Sequence, residues 1–347
     1  MRRLLRWLGR LAALLALAVA GLLLPVGYVE VMCRPQGEPE SRAPLIAAEW
    51  VRPAGRTLMT YPEWHIVHAY DDYAEVIRQG DPHDFGYLQA VGGFWGALCP
   101  LAQASGAYGG FDWETRQMIY TIGVSFTAEL LLKAAYEETL GRAATWIRGD
   151  DRAALDDLSA RQAADYARFL QQVPWYRWDF ARDRAELAAA ATGSFRDTER
   201  RLALGAEMRA KGAYAGLIAA AVAGMEPDAL TMRVIVTGLP AEVLAATEGV
   251  QVITTRPEGI EVETPRYRAF TGLARGWAAA GAEFVEIAGN EDILFSLISD
   301  SPQEDGALYS AARQGHGGYR HLMLVRVDDL AGALRRHGAA VEHIHDY

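Results

Sequence analysis

The chain has 347 residues, half of them hydrophobic and a tenth aromatic, which is enough apolar material for about two domains and excludes a disordered protein. Formal charge is −10; four arginines (Arg2, Arg3, Arg6, Arg10) precede the first acid, so the rest of the chain carries 30 basic against 44 acidic groups. Such a surface repels polyanions, and nucleic acid is not an expected partner.

Residues 1–10 read as a basic tail. From Leu11 to Val29 the sequence LAALLALAVAGLLLPVGYV holds no charge and, at about 1.5 Å per residue, matches a bilayer core, so 11–29 is expected to be a transmembrane anchor. Cleavage after the AxA-like Ala18-Val19-Ala20 would leave an apolar core of only seven residues, which favours an uncleaved anchor. The positive-inside rule then places the N-terminus in the cytoplasm. A single-pass protein of the inner (cytoplasmic) membrane is expected, with its bulk on the periplasmic or extracellular side. Cys33 and Cys99 are the two cysteines; a disulfide between them and a pair of buried thiols are both open readings. Residues 30–57, with Pro35, Pro39, Pro44 and Pro53, read as a stalk or a segment wrapped over the domain.

A helical bundle is expected over 58–225. Its first helix, Thr60 to Arg78, opens with a capping box: Thr60 as N-cap, Pro62 in the first turn, Glu63 three residues on. Ile66, Val67, Tyr70, Tyr73, Ala74 and Ile77 form one side, and His65, His68, Asp72 and Glu75 the other. Two histidines at i, i+3 with a carboxylate one turn on can chelate a divalent metal, zinc or iron, although a solvated surface face gives the same spacing. A second helix runs from Phe85 to about Cys99, ended by Pro100. The third, Trp113 to about Leu140 with Asp112 as N-cap, is apolar nearly all round, which predicts burial at the bundle centre. Glu129 and Lys133 interrupt it at i, i+4 and are expected to enter the interior together, as an internal ion pair or as a site in which Glu129 is a ligand or base. After a helix over Asp151 to Gln172, Trp175, Tyr176, Arg177 and Trp178 offer either core or a pocket for an apolar or aromatic ligand with Arg177 as anion partner. Ser194 to Gly224 is the last helix, with small residues at 212, 216, 220 and 224 allowing close approach of a neighbour.

Met225-Glu226-Pro227-Asp228 marks a boundary, after which the pattern turns to β-branched runs: MRVIVTGL, VQVITT, GIEVET, FVEIA, EDILFSLIS, HLMLVRV and VEHIHDY. Gly289-Asn290 between two of them signals a hairpin. The expectation for 230–347 is an α+β domain of ferredoxin-like character, with helices on one face of an antiparallel sheet. His343 and His345, with His321, offer a second metal set, or else a surface strand at the terminus.

The words TYPEWHIVHAY, GVSFTAELLLKAAYEETLGR and ETPRYRAF resemble a group of uncharacterised bacterial single-pass membrane proteins over most of the chain beyond the anchor. The resemblance implies this architecture and brings no catalytic residue or substrate. There is no complete GxSxG, SxxK, HExxH or Walker motif, and whether the chain is an enzyme stays open. Three classes fit: a membrane-anchored binding or scaffolding module with a protein partner at the α+β domain; a metal-dependent enzyme using His65 and His68 with Asp72 or Glu129; and a receptor for a small apolar or aromatic ligand.

Overall fold

A computed structural model describes residues 2–37, 43–53, 55, 58–59, 61–222 and 230–346. Helix α1 (Arg2–Met32) includes Gly9–Met32, which is long and apolar enough to cross a membrane. Leu11, Leu14, Leu15 and Leu17 are exposed along it, but its last turns enter the protein core. Val29 and Cys33 are buried, Cys33 is disulfide-bonded to Cys99 with their Cα atoms 5.0 Å apart, and Glu30 accepts from the Tyr120 hydroxyl at 2.6 Å and from Arg116. Helix α1 therefore continues into the bundle as one element, with Pro25 inside it. Residues beyond it press on the loop after the second bundle helix, where a Cβ on Gly106 would meet the Gln36 carbonyl at 1.9 Å.

The bundle comprises α2 (Tyr61–Gln79), α3 (Tyr87–Ala104), α4 (Trp113–Tyr136), α5 (Arg142–Arg148), α6 (Ala154–Leu170), α7 (Phe180–Ala190) and α8 (Phe195–Val222). The Thr60 cap and the boundary at 225–228 lie outside the described residues. Asp112 caps α4, accepting from the Thr115 amide at 2.7 Å. Pro100 does not end α3, which runs on to Ala104. Helix α4 is not central: Ile119, Phe126 and Leu130 are buried, but Trp113, Met118, Leu131 and Leu132 are exposed, as are Leu140, Trp146 and Ile147 beyond it. An apolar composition on every side says only that no face is polar; it does not say that every face is covered. The stretch Trp113–Arg148 also passes a length-and-composition test for a membrane span. The small-residue stripe of α8 is only partly used, for a Cβ on Gly216 would meet nothing within 4 Å.

A buried charge network holds these helices together, its arms joined by Glu199, which binds both Arg196 and Arg200. A π turn (Glu137–Gly141) after α4 aims Glu137 at Arg200, whose guanidinium it grips at 2.8 and 3.0 Å. Arg196 pairs with Asp156 at 2.9 Å, and Arg148 bridges Asp156 to Asp81. Arg196 and Arg200 are both buried, so their planar forks are matched by carboxylates in the interior.

The α+β domain holds two four-stranded antiparallel sheets. The first is built from β1 (Thr231–Thr237), β2 (Gln251–Arg256), β3 (Gly259–Pro265) and β4 (Glu283–Ile287) in the order β2-β3-β1-β4. The second uses β5 (Asp292–Ser299), β6 (Ala307–Ala312), β7 (Tyr319–Arg326) and β8 (Val341–His345) in the order β6-β7-β5-β8. Short α9 (Ala241–Ala245) follows β1, α10 (Tyr267–Ala279) precedes β4, and α11 (Val327–His337) precedes β8. The inner faces of both sheets share one core with α10 and α11. The turn at Gly289-Asn290 is not a hairpin: apart from the isolated Ile287–Asn290 bridge, β4 and β5 pair in different sheets.

The two halves repeat one another at an offset of 57 residues. Phe270, Ala274, Trp277, Phe284 and Ile287 occupy the core positions that Val327, Ala331, Leu334, Val341 and Ile344 occupy in the second half, all buried. Each final strand also carries a bulge at the matching residue, Val285 in β4 and Glu342 in β8, which the pairing registers skip. The halves differ on their outer faces. Residues 45–52 cross the first sheet, where Glu286 accepts the Leu45 amide at 2.8 Å and that of Ile46, while Arg233 lies 4.3 Å from the Trp50 ring. Helix α2 covers the second.

Candidate functional site

The junction between α2 and the second sheet collects the ionisable residues that both domains contribute. Tyr61, Trp64, His68 and Asp72 recur at helical spacing on one side of α2, and all four are buried. The polar side of this helix thus faces the outer side of a β-sheet. From the sheet come Arg320 of β7 and Glu342, His343 and His345 of β8. The β8 bulge places Glu342 beside His343 on this side of the sheet, where regular alternation would send it into the core.

Arg320 grips Glu342 with Nε and Nη2 at 2.5 and 2.8 Å. His68 Nε2 lies 3.6 Å from the same carboxylate. The Trp64 ring lies on His343 with centroids 3.5 Å apart, Tyr61 meets His345 edge-on at 5.3 Å, and the His343 and His345 rings are 4.9 Å apart. The Thr271 hydroxyl accepts the Ile344 amide at 2.9 Å and is hydrogen-bonded to His343 Nδ1 at 3.3 Å. Among the described residues, His68 Nε2, His343 Nε2, both nitrogens of His345 and Asp72 Oδ1 have no hydrogen-bond partner.

Burial sets the electrostatics. It lowers His68 well below the ordinary imidazole value, aided by the Arg320 cation; it lowers His343, aided by His345, and takes His345 down to about 3. With these rings neutral, Arg320 is the cation that keeps the Glu342 carboxylate ionised against its own desolvation. Burial also pushes Asp72 up to about 6, with Arg320 opposing.

The sequence-derived sets are redistributed. His65 does not join His68 and Asp72: its Nε2 bonds the Ala90 carbonyl at 2.8 Å, among Phe94 and Phe126, and burial lowers it to about 4. Glu129 and Lys133 do not pair with each other. Glu129 binds Lys211 at 2.7 Å and accepts from the Tyr70 hydroxyl, while Lys133 binds Glu207 at 3.1 Å, so charges alternate between α4 and α8. His321 is taken by the Ser299 and Ser310 hydroxyls at 2.9 and 2.8 Å and stays apart from His343 and His345. Those two do not form a surface strand, being 2% and 0% exposed. Trp175 packs on Tyr214 at 5.3 Å, the Trp178 indole donates to Asp183 at 2.7 Å, Tyr176 lies against Trp175, and Arg177 is exposed. A surface groove of about 440 Å³ lies instead between α7 and α8, lined by Arg184, Arg201, Leu202 and Arg209. Sequence reasoning missed Arg320 and Glu342, whose signals are an arginine at the start of the apolar strand YRHLMLVR and a carboxylate directly before the HIH word.

The buried imidazoles carry a pH consequence. Their folded-state affinities for protons lie below the ordinary value of about 6.5, so the unfolded chain gains protons first as pH falls. The stability they contribute is complete above about pH 7 and is lost as pH falls through about 6.5 toward about 4. Asp72 and Asp346, raised by burial to about 6 and about 7, act in the opposite sense over that window, two carboxyls against four imidazoles. A net loss of stability is expected between about pH 7.5 and about pH 5. Thermal melts at the two values check it; an equal or higher melting temperature in acid would show that the folded state accepts these protons.

No family model, curated protein or solved structure matches the chain.

Proposed function

We propose that the chain is a single-pass protein of the inner membrane, its bulk on the periplasmic or extracellular side, that works as a binding or scaffolding module. The observation that carries this reading is continuity. The apolar helix passes into the bundle core and is tied to α3 by the Cys33–Cys99 bond, and the bundle grips the α+β domain where Trp64 and Tyr61 pack on His343 and His345, Asp72 accepts the Gln314 amide, and Leu294 and Leu322 join the bundle core. His65 and Glu129, two of the groups that a metal-dependent hydrolase would present to substrate, are committed to internal contacts. The arrangement supports a rigid mount that displays the α+β domain at a fixed distance from the bilayer. We read each half of that domain as ferredoxin-like, a reading supported by the shared strand order.

The displayed surface is the edge strand β2, paired on one side with β3, exposing Gln251, Ile253, Thr254 and Thr255. Such an edge accepts an extended segment of a partner by strand addition. A photo-reactive residue at Ile253 is expected to give a discrete cross-linked species in intact cells, with none from the same residue at Leu202 on α8. Absence of any adduct from exposed β2 positions would sink the reading.

A further inference from the structure

We propose that Asp71, Asp72 and His316 form a binding site for a first-row divalent cation, zinc best of all, that bridges the bundle to the α+β domain. The three side chains bring one ligand atom each to within 4.8 Å of one another, so that small side-chain rotations close them to the roughly 3.4 Å separation of tetrahedral ligands with bonds of about 2.0–2.2 Å. Two carboxylates and an imidazole are a donor set that zinc and its neighbours accept.

The second observation is Asp72 itself. It is 6% exposed, its Oδ2 is fixed by the Gln314 amide at 3.0 Å, and its Oδ1 has no protein partner among the described residues. A buried carboxylate with one oxygen oriented and the other unpartnered is what a cation site needs and what an ordinary ion pair does not leave. His316 Nε2 approaches from the β6–β7 loop to 3.2 Å from Asp71 Oδ2. The approach depends on Gly315, which has φ +76° and whose Cβ would meet the Val76 amide at 2.9 Å. The carbonyl of Gly315 accepts from Gln79 at 3.3 Å, a further tie between loop and helix. Arg313 and Arg320 face the same carboxylates, so the net charge of the site is modest and the affinity rests on ligand geometry.

Competing groups fit less well. Asp81, His83 and Asp84 also lie within 4.8 Å, but both Asp81 oxygens are bound by Arg148 at 2.7 and 3.1 Å, and Asp84 Oδ2 accepts the Asp81 amide. His68, His343 and His345 do not bring three ligand atoms within that distance, because Trp64 lies among them.

The site stands independently of the scaffolding reading, and its test uses the full chain in detergent micelles. After removal of metal by EDTA, titration with zinc chloride is expected to show one equivalent bound and a rise in melting temperature. Cobalt(II) is expected to give visible d–d absorption at the same stoichiometry. Asp71→Asn and His316→Gln should each weaken binding at least about tenfold, while His83→Gln leaves it unchanged. Both informative residues are on the surface, and equal melting temperatures in EDTA confirm that the variants fold. Failure to bind either metal, or binding that survives both Asp71→Asn and His316→Gln, overturns the proposal.

Discussion

Replacing Arg320 with methionine is expected to destabilise the folded chain by about 3–5 kcal/mol, the range for removing one partner of a buried ion pair. The size follows from what stays behind. Glu342 remains desolvated beneath α2, its nearest potential cation is His68 at 3.6 Å, and that imidazole is held neutral by burial. Two outcomes are available to the variant. Either Glu342 takes up a proton, or His68 does and replaces the lost arginine in part; in both cases the folded variant binds a proton that the parent does not, so the destabilisation is largest at high pH and shrinks as pH falls. Methionine matches the length and apolar stem of arginine, so little of the effect comes from a cavity. Chemical denaturation at neutral pH measures it, and a change below about 1 kcal/mol would place the Arg320–Glu342 pair in the class of exposed salt bridges. The double variant Arg320→Met, Glu342→Leu removes both charges and is expected to recover most of the loss, because the cost lies in the unpaired charge and not in the absent bond.

The second large effect is expected from Cys33→Ser combined with Cys99→Ser. The bond closes a loop with a sequence separation of 66, for which the chain-entropy relation gives about 4 kcal/mol. Under the proposed anchoring, α1 already confines the start of the loop in the unfolded state, which makes that value an upper bound. Both sulfurs sit where α1 meets α3, so the loss should be felt first at that contact: the Glu30–Tyr120 bond and the packing of Val29 are the structures it supports. Denaturation with and without reductant, in the parent and the double serine variant, isolates the term. A parent chain that is indifferent to reductant would contradict the assignment.

The legible parts of the fold are those encoded by local period. The charge-free run of α1, the Asp112 cap and the β-branched runs of the second domain read correctly because each is set within a few residues. What was not legible depends on which surfaces meet. The His68–Asp72 side of α2 reads as solvated because polarity marks water in a lone helix, yet here it covers a sheet whose outer face carries Arg320, Glu342, His343 and His345 beside the buried Leu294 and Leu322. Gly289-Asn290 has hairpin composition, but the strands on either side belong to different sheets, and turn residues do not say with which strand a chain will pair. Strand β6, ALYSAA, has too few β-branched residues to be seen as a strand at all. The 57-residue repeat was present in the sequence as LA and GA pairs, Leu273-Ala274 and Gly281-Ala282 against Leu330-Ala331 and Gly338-Ala339. Reading it in advance would have aligned Glu286 with His343, the outer-face position where the two halves diverge, and so pointed to the strand that carries the junction.

The coupling of the two domains through that junction is tested most directly by amide hydrogen exchange on the Arg320→Met variant beside the parent chain. Residues 61–79 of α2 and 341–345 of β8 are predicted to lose protection together, while α6 to α8 and β1 to β3 keep theirs. Faster exchange confined to β8, with α2 unchanged, would contradict the account.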